Sequence, residues 1–225
     1  MPTPPFRAVL FDLDGTLLDT LADLAASGNA VMRGRGLPEH PVEAFRRFVG
    51  DGTAAQVYRL FPEDRKPDPD EHAAALAEYM AAYETRWNAT TRPYDGIPAL
   101  LDALAADGVR LAVLSNKAHA FTQRCMAEFF GAWHWDFVFG LREGFPRKPD
   151  PAGALEIAER LGLAPRDCVF LGDSGIDMET GRRAGMTPVG ALWGFRDADE
   201  LRAAGAARLL AKPGDLLELA PTQQG

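Results

Sequence analysis

Apolar runs and helical segments alternate along the second half of the chain, and this alternation constrains the fold more than any other feature. After Pro93, strands are predicted at residues 109–114, 137–139, 168–171 and 188–192, and helices at 100–106, 121–130, 152–161 and 178–184. Such alternation is typical of a parallel sheet with helices on both faces. The apolar run at residues 8–11 is predicted to be the first strand of the same sheet. The sequence therefore predicts an α/β fold with a Rossmann-like, doubly wound parallel sheet.

A helical block separates the first predicted strand from the others. Helices are predicted at residues 21–32, 42–49, 54–61 and 72–87, and no strand is predicted between 21 and 93. In the last of these helices, Leu76, Met80, Tyr83 and Trp87 recur at the spacing of an amphipathic helix. A length of 225 residues lies between one domain and two. We therefore predict an α/β core from residues 1–20 and 94–225, with an inserted helical domain at 21–93.

Composition and charge exclude several classes of protein. A hydrophobic fraction of 47% is ordinary for a packed domain and argues against disorder. The net charge of −8 argues against binding to nucleic acid or to an anionic membrane, and no apolar run is long enough to cross a bilayer. Cys125 and Cys168 lie in no metal-binding or disulfide pattern, so both are expected to be buried thiols. Because no secretory signal is readable, we expect a cytoplasmic protein.

Two aspartates follow the first predicted strand directly. Asp12 and Asp14 are two residues apart on an extended chain, so their carboxylates point to the same face. Like charges held close together cannot both ionise easily, which favours one protonated carboxyl and one carboxylate held by a cation. Such a pair can divide the roles of nucleophile and general acid. A hairpin turn at Asp14 and Gly15 is the alternative, but the segment that follows is helical in pattern.

Two further polar segments lie between a predicted strand and a predicted helix. Ser115 and Asn116 could cap the helix that follows, which is the commoner use of both residues, or bind a phosphate at that helix N-terminus. Lys148 precedes Asp150 and Pro151, which are typical of a helix start. The chain has only four lysines against twenty arginines. Because the compact ammonium group suits a phosphoryl ligand, Lys148 is a candidate for that role.

A second pair of aspartates follows the predicted strand at residues 168–171. Helix capping by Asp173 or Ser174 would explain one acidic residue but not Asp177 as well. Two carboxylates at a strand end are a plausible site for Mg²⁺, which prefers oxygen ligands. All of these polar segments follow predicted parallel strands, and open α/β sheets bind ligands at that edge.

The segments FDLDGTLLDT, LSNK, KPDP and GDSGIDME together resemble the four motifs of the haloacid dehalogenase superfamily. The helical insertion resembles the C1 helical cap of that superfamily, and residues 21–93 are called the cap below. The segments PYDGIPALLDAL, FVGDG and GDSGIDMETGRRAGMTPVGALWGF are similar to those of phosphoglycolate phosphatases and related small-molecule phosphatases. The resemblance implies a Mg²⁺-dependent phosphoric monoester hydrolase that forms an aspartyl-phosphate intermediate.

The resemblance also implies a role for each residue that matches a motif. Asp12 would be the nucleophile, and Asp14 the general acid and base. Ser115, Asn116 and Lys148 would bind the transferring phosphoryl group. Mg²⁺ would be held by the Asp12 and Asp173 carboxylates and the main-chain carbonyl of Asp14, with Asp177 supporting the metal. Asp14 argues against a dehalogenase, because halide leaves without a proton whereas an alkoxide needs one.

The cap is expected to choose the leaving group. Gly50, Asp51 and Gly52 lie in a predicted bend and resemble the substrate-specificity loop of the superfamily, with an ordinary glycine-rich connection as the alternative. Arg46, Arg47 and Arg59 are candidates to bind a substrate carboxylate, with solvated surface as the alternative. The aromatic pair Trp193 and Phe195 either borders the pocket or serves packing.

Three functions stay open on sequence alone. The first is a phosphoglycolate phosphatase-like enzyme that acts on a small-molecule phosphate ester. The second is a pyrophosphatase or a broad sugar- or nucleotide-phosphate phosphatase with the same core. The third is a phospho-ligand-binding regulatory protein without turnover. The protein is expected to be a monomer or a homodimer, with no nucleic-acid or membrane partner.

Overall fold

The computed structural model describes residues 6–219. Within that range the strands are β1 (Ala8–Phe11), β2 (Leu18–Asp19), β3 (Arg92–Pro93), β4 (Arg110–Ala118), β5 (Phe137–Leu141), β6 (Cys168–Gly172), β7 (Thr187–Ala191) and β8 (Arg208–Leu210). Six of them form one sheet in the order β5-β4-β1-β6-β7-β8, and every neighbouring pair is parallel. The predicted α/β fold with a parallel sheet is confirmed.

The helices occupy both the cap and the core. Those of the cap are α1 (Leu21–Gly34), α2 (Phe45–Phe48), α3 (Thr53–Leu60) and α4 (Pro69–Glu84). The core contains α5 (Ile97–Ala106), α6 (His119–Phe130), α7 (Ala152–Leu161), α8 (Gly175–Arg183) and α9 (Ala198–Ala203). Short 3₁₀ helices lie at Val42–Ala44, Glu63–Arg65, Pro165–Asp167 and Pro213–Glu218.

The sheet is buried on both faces, as a parallel sheet with crossover helices requires. Along β1, Val9 and Phe11 belong to one apolar cluster while Ala8 and Leu10 belong to another. This division follows the two-residue alternation of side chains along a strand. Helices α5 and α6 contribute to the first cluster and α7 to the second, so helices cover both faces. The first cluster also includes cap residues, so the apolar contact between cap and core is continuous.

The chain enters and leaves the cap side by side. Leu18 and Asp19 of β2 pair antiparallel with β3, which brings the outgoing and returning segments together. Just inside this junction, the buried Asp23 carboxylate of α1 accepts hydrogen bonds from the backbone N–H and the hydroxyl of both Thr90 and Thr91, at 2.7 to 3.1 Å. One carboxylate therefore joins the segment that enters the cap to the segment that leaves it. The domain boundaries at residues 20 and 94 stay a prediction.

The structure departs from the sequence prediction in several elements. The predicted helix at 42–49 is a 3₁₀ turn followed by the four-residue α2, and the cap range also contains β3, although no strand was expected there. Of the predicted apolar stripe, Tyr83 and Trp87 are buried while Leu76 and Met80 are partly buried, and the helix α4 itself ends at Glu84. Strands β2 and β8 and helix α9 were not predicted from the sequence. These are short or exposed elements in which periodicity is too brief to read.

Two other sequence expectations can be compared with the structure directly. Cys125 and Cys168 are both buried free thiols, as expected. Among residues 6–219, no helix is long and apolar enough to span a membrane.

Candidate active site

Polar side chains from three adjacent strands meet at one edge of the sheet. Asp12 follows β1, Ser115 lies near the end of β4, and Asp173 follows β6. Strand β1 lies between β4 and β6, so the residues at their carboxyl ends are neighbours in space. Lys148, which lies in the loop before α7, completes the group. The predicted polar segments therefore converge on one site.

Three buried carboxylates form the most acidic part of this site. Oxygen atoms of Asp12, Asp173 and Asp177 lie within 4.8 Å of one another. Burial, reinforced by the charge of Asp177, raises the pKa of Asp12 to about 7, although Lys148 opposes this rise. Burial and the charges of Asp177 and Asp12 also raise the pKa of Asp173 well above its ordinary value. The cluster is therefore short of positive charge, and its oxygen donors suit a hard divalent cation.

Lys148 is the cation built into this cluster. Its Nζ lies 2.6 Å from an oxygen of Asp177 and 2.9 Å from Oδ1 of Asp12, and the side chain is 3% exposed. Burial works against the charged ammonium, but the two carboxylates outweigh it and raise the pKa of Lys148 above its ordinary value. Lys148 is therefore charged at neutral pH and faces the oxygen Oδ1 of Asp12.

Asp177 has a structural role as well as its place in the acidic cluster. Ser174 is the N-cap of α8, and its backbone N–H and hydroxyl both donate to Oδ2 of Asp177 at 3.1 and 2.6 Å. The other oxygen, Oδ1, accepts from Lys148. The capping interpretation thus accounts for Ser174 and Asp177 but leaves Asp173 unexplained. The Asp177 carboxylate holds Lys148 in place and also closes the first turn of the helix.

Glycines allow the backbone to approach Asp173. Gly15 has a φ of 86°, and a Cβ there would collide with the Asp173 carboxylate. A Cβ at Gly194 would collide with the same side chain. The backbone N–H of Phe195 donates to Oδ2 of Asp173 at 2.7 Å, and the indole N–H of Trp193 donates to the carbonyl of Thr16 at 3.0 Å. The segment 193–195 therefore borders the site and orients one of its carboxylates.

Ser115 and Asn116 do not cap a helix. Strand β4 continues through both residues to Ala118, which is the N-cap of α6 and makes no side-chain cap hydrogen bond. Asn116 instead holds the Lys148 backbone, since its Oδ1 accepts from Lys148 N–H at 2.9 Å and its Nδ2 donates to the Lys148 carbonyl at 3.0 Å. Ser115 is buried and lines the cavity above the site. Helix α6 begins at His119, two residues before its predicted start at residue 121.

Asp14 is paired with a second buried lysine, Lys117, which the sequence analysis did not identify. Its Nζ donates to both carboxylate oxygens of Asp14, at 3.0 and 3.1 Å. Burial again works against the ammonium charge, but Asp14 outweighs it and raises the pKa of Lys117 well above its ordinary value. Nζ also lies 4.7 Å from the ring centroid of Tyr83 in α4. The scarcity of lysine in this chain was the one signal in the sequence that could have identified it.

The predicted cap loop lies directly over the core residues of the site. Its consecutive carbonyls at Val49, Gly50 and Asp51 accept hydrogen bonds of 2.7 to 2.9 Å. The three donors are core side chains, namely Arg196, Asn116 and Arg147. Gly50 and Gly52 both have positive φ and line the cavity, whereas Asp51 forms an ion pair with Arg59.

The three cap arginines proposed for a substrate carboxylate are not in the cavity lining. Arg46 donates to the carbonyl of Gly194 at 2.7 Å and pairs with Glu43. Arg59 is held by the carbonyl of Phe48 and by Asp51, and Arg47 is exposed. None of these guanidinium groups therefore lines the cavity, and Arg46 and Arg59 are held by partners outside it.

A small cavity separates the acidic edge of the core from the cap. Its volume of about 40 Å³ has room for roughly three water molecules. Asp12, Asp14, Ser115 and Asp173 are among the core residues that line it. A reacting group in this cavity would lie beside the carboxylates of both Asp12 and Asp14.

Comparisons with known proteins agree with this geometry. The sequence profile of the family described as "Haloacid dehalogenase-like hydrolase" matches residues 9–191. A phosphoglycolate phosphatase of Xylella fastidiosa is 35% identical over 196 residues, which cover 86% of this chain and 83% of that protein. The corresponding protein of Aquifex aeolicus is 30% identical over 213 residues, 95% of this chain and 96% of its own length. The crystal structure of a predicted phosphoglycolate phosphatase from Haemophilus somnus is similar, with a TM-score of 0.87 and 25% identity over 95% of this chain and 97% of that one.

Proposed function

Because this chain belongs to the haloacid dehalogenase-like hydrolase family, we propose that it is a Mg²⁺-dependent phosphatase of small-molecule phosphate monoesters. The observation that carries the proposal is the placement of Asp12 and Asp14 in one cavity, each paired with its own buried lysine. Phosphoryl transfer needs positioning and charge neutralisation more than covalent chemistry. This edge of the sheet supplies both.

In the first step, Asp12 attacks phosphorus and the bond from phosphorus to the leaving oxygen breaks. Oδ1 of Asp12 is held by Leu13 N–H at 2.7 Å and by Lys148, so Oδ2 is the oxygen for attack. Asp14, as the general acid, gives a proton to the leaving alkoxide. The product of this step is an aspartyl-phosphate on Asp12.

In the second step, Asp14 takes a proton from water, and the oxygen of that water attacks phosphorus. The acyl phosphate bond then breaks, which restores the Asp12 carboxylate and releases inorganic phosphate. Lys148 and the Ser115 hydroxyl bind the phosphoryl oxygens throughout, while Asn116 keeps the Lys148 backbone in place. The same groups thus serve both steps.

Mg²⁺ is the cation that we propose for the acidic cluster. Asp12 and Asp173, together with the main-chain carbonyl of Asp14, would hold it, and Asp177 would support it through Lys148 and Ser174. When bound, it supplies charge neutralisation for the phosphoryl oxygens and for the crowded carboxylates. Hard carboxylate donors fit this ion better than a soft transition metal.

The substrate that we propose is 2-phosphoglycolate or a phosphate ester of similar size. The observation that supports it is that relatives at 30% to 35% identity over most of this chain are named phosphoglycolate phosphatase. A pyrophosphatase or a phosphatase of sugar or nucleotide phosphates would use the same core and differ in the cap.

The test is a panel of phosphate esters assayed with and without Mg²⁺. The wild type is expected to hydrolyse 4-nitrophenyl phosphate only with the metal, and to give its highest kcat/KM on small carboxylate-bearing esters. Asp12→Asn should lower kcat by more than about 10³-fold, because no nucleophile remains. Asp70→Asn, an exposed aspartate of α4, is the matched control and should keep full activity. A wild type that turns over no ester would support the regulatory alternative instead.

Asp14→Asn separates acid catalysis from binding. Because a phenolate leaves without help and an alkoxide does not, this variant should lose more activity on alkyl esters than on the aryl ester. A loss of about 10²-fold or more is expected on the alkyl esters. Equal losses on both kinds of ester would contradict the acid role of Asp14.

A further inference from the structure

The cavity wall beyond the reaction centre is made by the cap, and it is uncharged. Its side chains include Leu24, Thr53, Gln56, Tyr79, Met80 and Tyr83. The only hydrogen bond between two of these side chains runs from Gln56 Nε2 to the hydroxyl of Tyr79, at 3.0 Å. If the leaving group carries a charge, its partner must therefore come from the core.

Two core cations, Lys117 and Arg196, line the cavity as well. Arg196 is held at two of its three guanidinium nitrogens, since Nη2 donates to the Val49 carbonyl at 2.8 Å and Nε pairs with Glu200 at 3.2 Å. Lys117 uses two of its three N–H groups on Asp14. One N–H of Lys117 therefore remains for another acceptor, and it lies beside the carboxylate that we assign to the leaving oxygen.

Tyr83 offers a second donor at the same place. It is buried, it lines the cavity, and its hydroxyl has no hydrogen-bond partner within residues 6–219. Lys117 Nζ lies 4.7 Å from the centroid of the Tyr83 ring, so the ammonium and this hydroxyl border the same part of the cavity. A buried hydroxyl without a partner is costly, so it is expected to bond a ligand or water in the cavity.

We propose that Lys117 and the hydroxyl of Tyr83 bind the carboxylate of a 2-hydroxy acid leaving group, so that the core and not a cap arginine recognises its charge. This inference rests on the proposed function. Asp14 donates to the hydroxyl oxygen of the leaving group, and the carboxylate is attached to the adjacent carbon. Lys117 contacts Asp14. Its ammonium is therefore placed to reach a carboxylate on the carbon next to the oxygen that Asp14 protonates.

The experiment compares two esters of the same carbon length, 2-phosphoglycolate and 2-hydroxyethyl phosphate. The second has an uncharged alcohol where the first has a carboxylate. The specificity ratio is the kcat/KM of the first divided by that of the second, and we expect about tenfold or more in the wild type. A substitution that disturbs Asp14 or the phosphoryl site changes kcat/KM for both esters. This effect therefore cancels in the specificity ratio.

Lys117→Met keeps the length of the side chain and removes its charge. We expect the specificity ratio to fall about tenfold or more, mainly through KM for 2-phosphoglycolate. Tyr83→Phe keeps the ring under Lys117 and should lower the ratio by about threefold. Arg196→Gln removes the other cation of the lining and is the matched control, for which the ratio should stay within about twofold of the wild type.

Glycolate binding gives a readout that does not need turnover. Glycolate should raise the thermal midpoint of the wild type, and Lys117→Met should abolish this shift even if that variant has lost all activity. Ethylene glycol at the same concentration should produce no shift in either protein.

The outcomes separate the inference from the function on which it rests. A wild type that hydrolyses 4-nitrophenyl phosphate but treats the two alkyl esters equally would overturn the inference and leave the phosphatase intact. The inference would also be overturned if the ratio survived in Lys117→Met, or if it collapsed in Arg196→Gln or Arg59→Gln instead. A wild type without any ester hydrolysis would contradict the proposed function itself.

Discussion

The core lines the cavity with charged side chains, whereas the cap lines it with neutral ones and with main-chain carbonyls. Four of the core residues are the carboxylates Asp12, Asp14 and Asp173 and the ammonium of Lys117. The cap offers apolar and hydroxyl groups there, and the carbonyls of its loop accept from core donors. In this molecule the core contributes the charged part of the cavity wall, and the cap contributes the neutral part.

The two buried lysines show the same difference at the level of single residues. Lys148 touches Asp12 and Asp177, and the ring 5.5 Å from its Nζ belongs to Phe170 of β6, so all its partners are in the core. Lys117 touches Asp14 in the core but lies over Tyr83 of the cap. A change at Lys148 should therefore act on the chemistry of every ester, whereas a change at Lys117 should depend on the leaving group.

The largest expected effect is that of Lys148→Met. Loss of this ammonium removes the cation that faces Asp12 and leaves two buried carboxylates without their partner, so kcat/KM should fall about 10³-fold on aryl and alkyl esters alike. Steady-state kinetics over the ester panel checks this. Lys212→Met removes an exposed lysine and should have no effect. Unequal losses across the esters would mean that Lys148 also contacts the leaving group, and the contrast between the two lysines would be wrong.

The next largest expected effect is a loss of stability when Asp23, at the junction of cap and core, is replaced. In Asp23→Asn the side chain can no longer accept all the hydrogen bonds from Thr90 and Thr91, so the free energy of unfolding should fall by about 2 kcal/mol. Urea denaturation measures this loss, with Asp64→Asn at an exposed cap position as the control. If the core alone supplies the charges, kcat on 4-nitrophenyl phosphate should change far less than it does in Lys148→Met.

The effect of Asp23 should also depend on pH. Burial opposes its ionisation, but the hydrogen bonds from Thr90 and Thr91 outweigh burial and lower the pKa of Asp23 below its ordinary value of 3.8. The unfolded chain therefore binds this proton more readily than the folded one, so the stabilisation is complete above that value and is lost as the pH falls through the folded pKa. The stability difference between the wild type and Asp23→Asn should accordingly shrink in strong acid. A difference that stayed constant with pH would show that the charge of Asp23 does not matter.

The sheet and its acidic edge could be predicted from the sequence because their signals are local. Apolar runs of four or five residues mark β1 and β6, and the aspartates follow each run directly, so strand prediction places Asp12 and Asp173 at the same edge of the sheet. The fold class followed from the same alternation of strands and helices. The edge strand β8 was missed because three residues carry too little periodicity.

The contacts between cap and core could not be predicted, because they join residues that are far apart in the sequence. The Lys117 contact with Tyr83 depends on how α4 packs over β4, and no pattern within LSNK indicates it. The cap arginines were chosen for their chemistry alone, and the structure gives them other partners, such as the Gly194 carbonyl for Arg46. Residue type alone predicted the charged core residues that line the cavity, but it did not predict the neutral residues that the cap contributes.

The smallest expected effect is that of Arg147→Gln. This variant tests whether the hydrogen bonds to the cap loop matter for substrate binding. Arg147 donates to the Asp51 carbonyl at 2.7 Å, whereas the guanidinium of Arg142 in the same loop pairs with Glu156 of α7. Arg147→Gln should raise KM by about threefold with little change in kcat, because one exposed hydrogen bond that holds the loop closed is lost. Arg142→Gln is the matched control and should leave KM unchanged. If both variants raised KM equally, the effect would belong to the loop that carries Lys148, and closure of the cap over the charged core would not depend on Arg147.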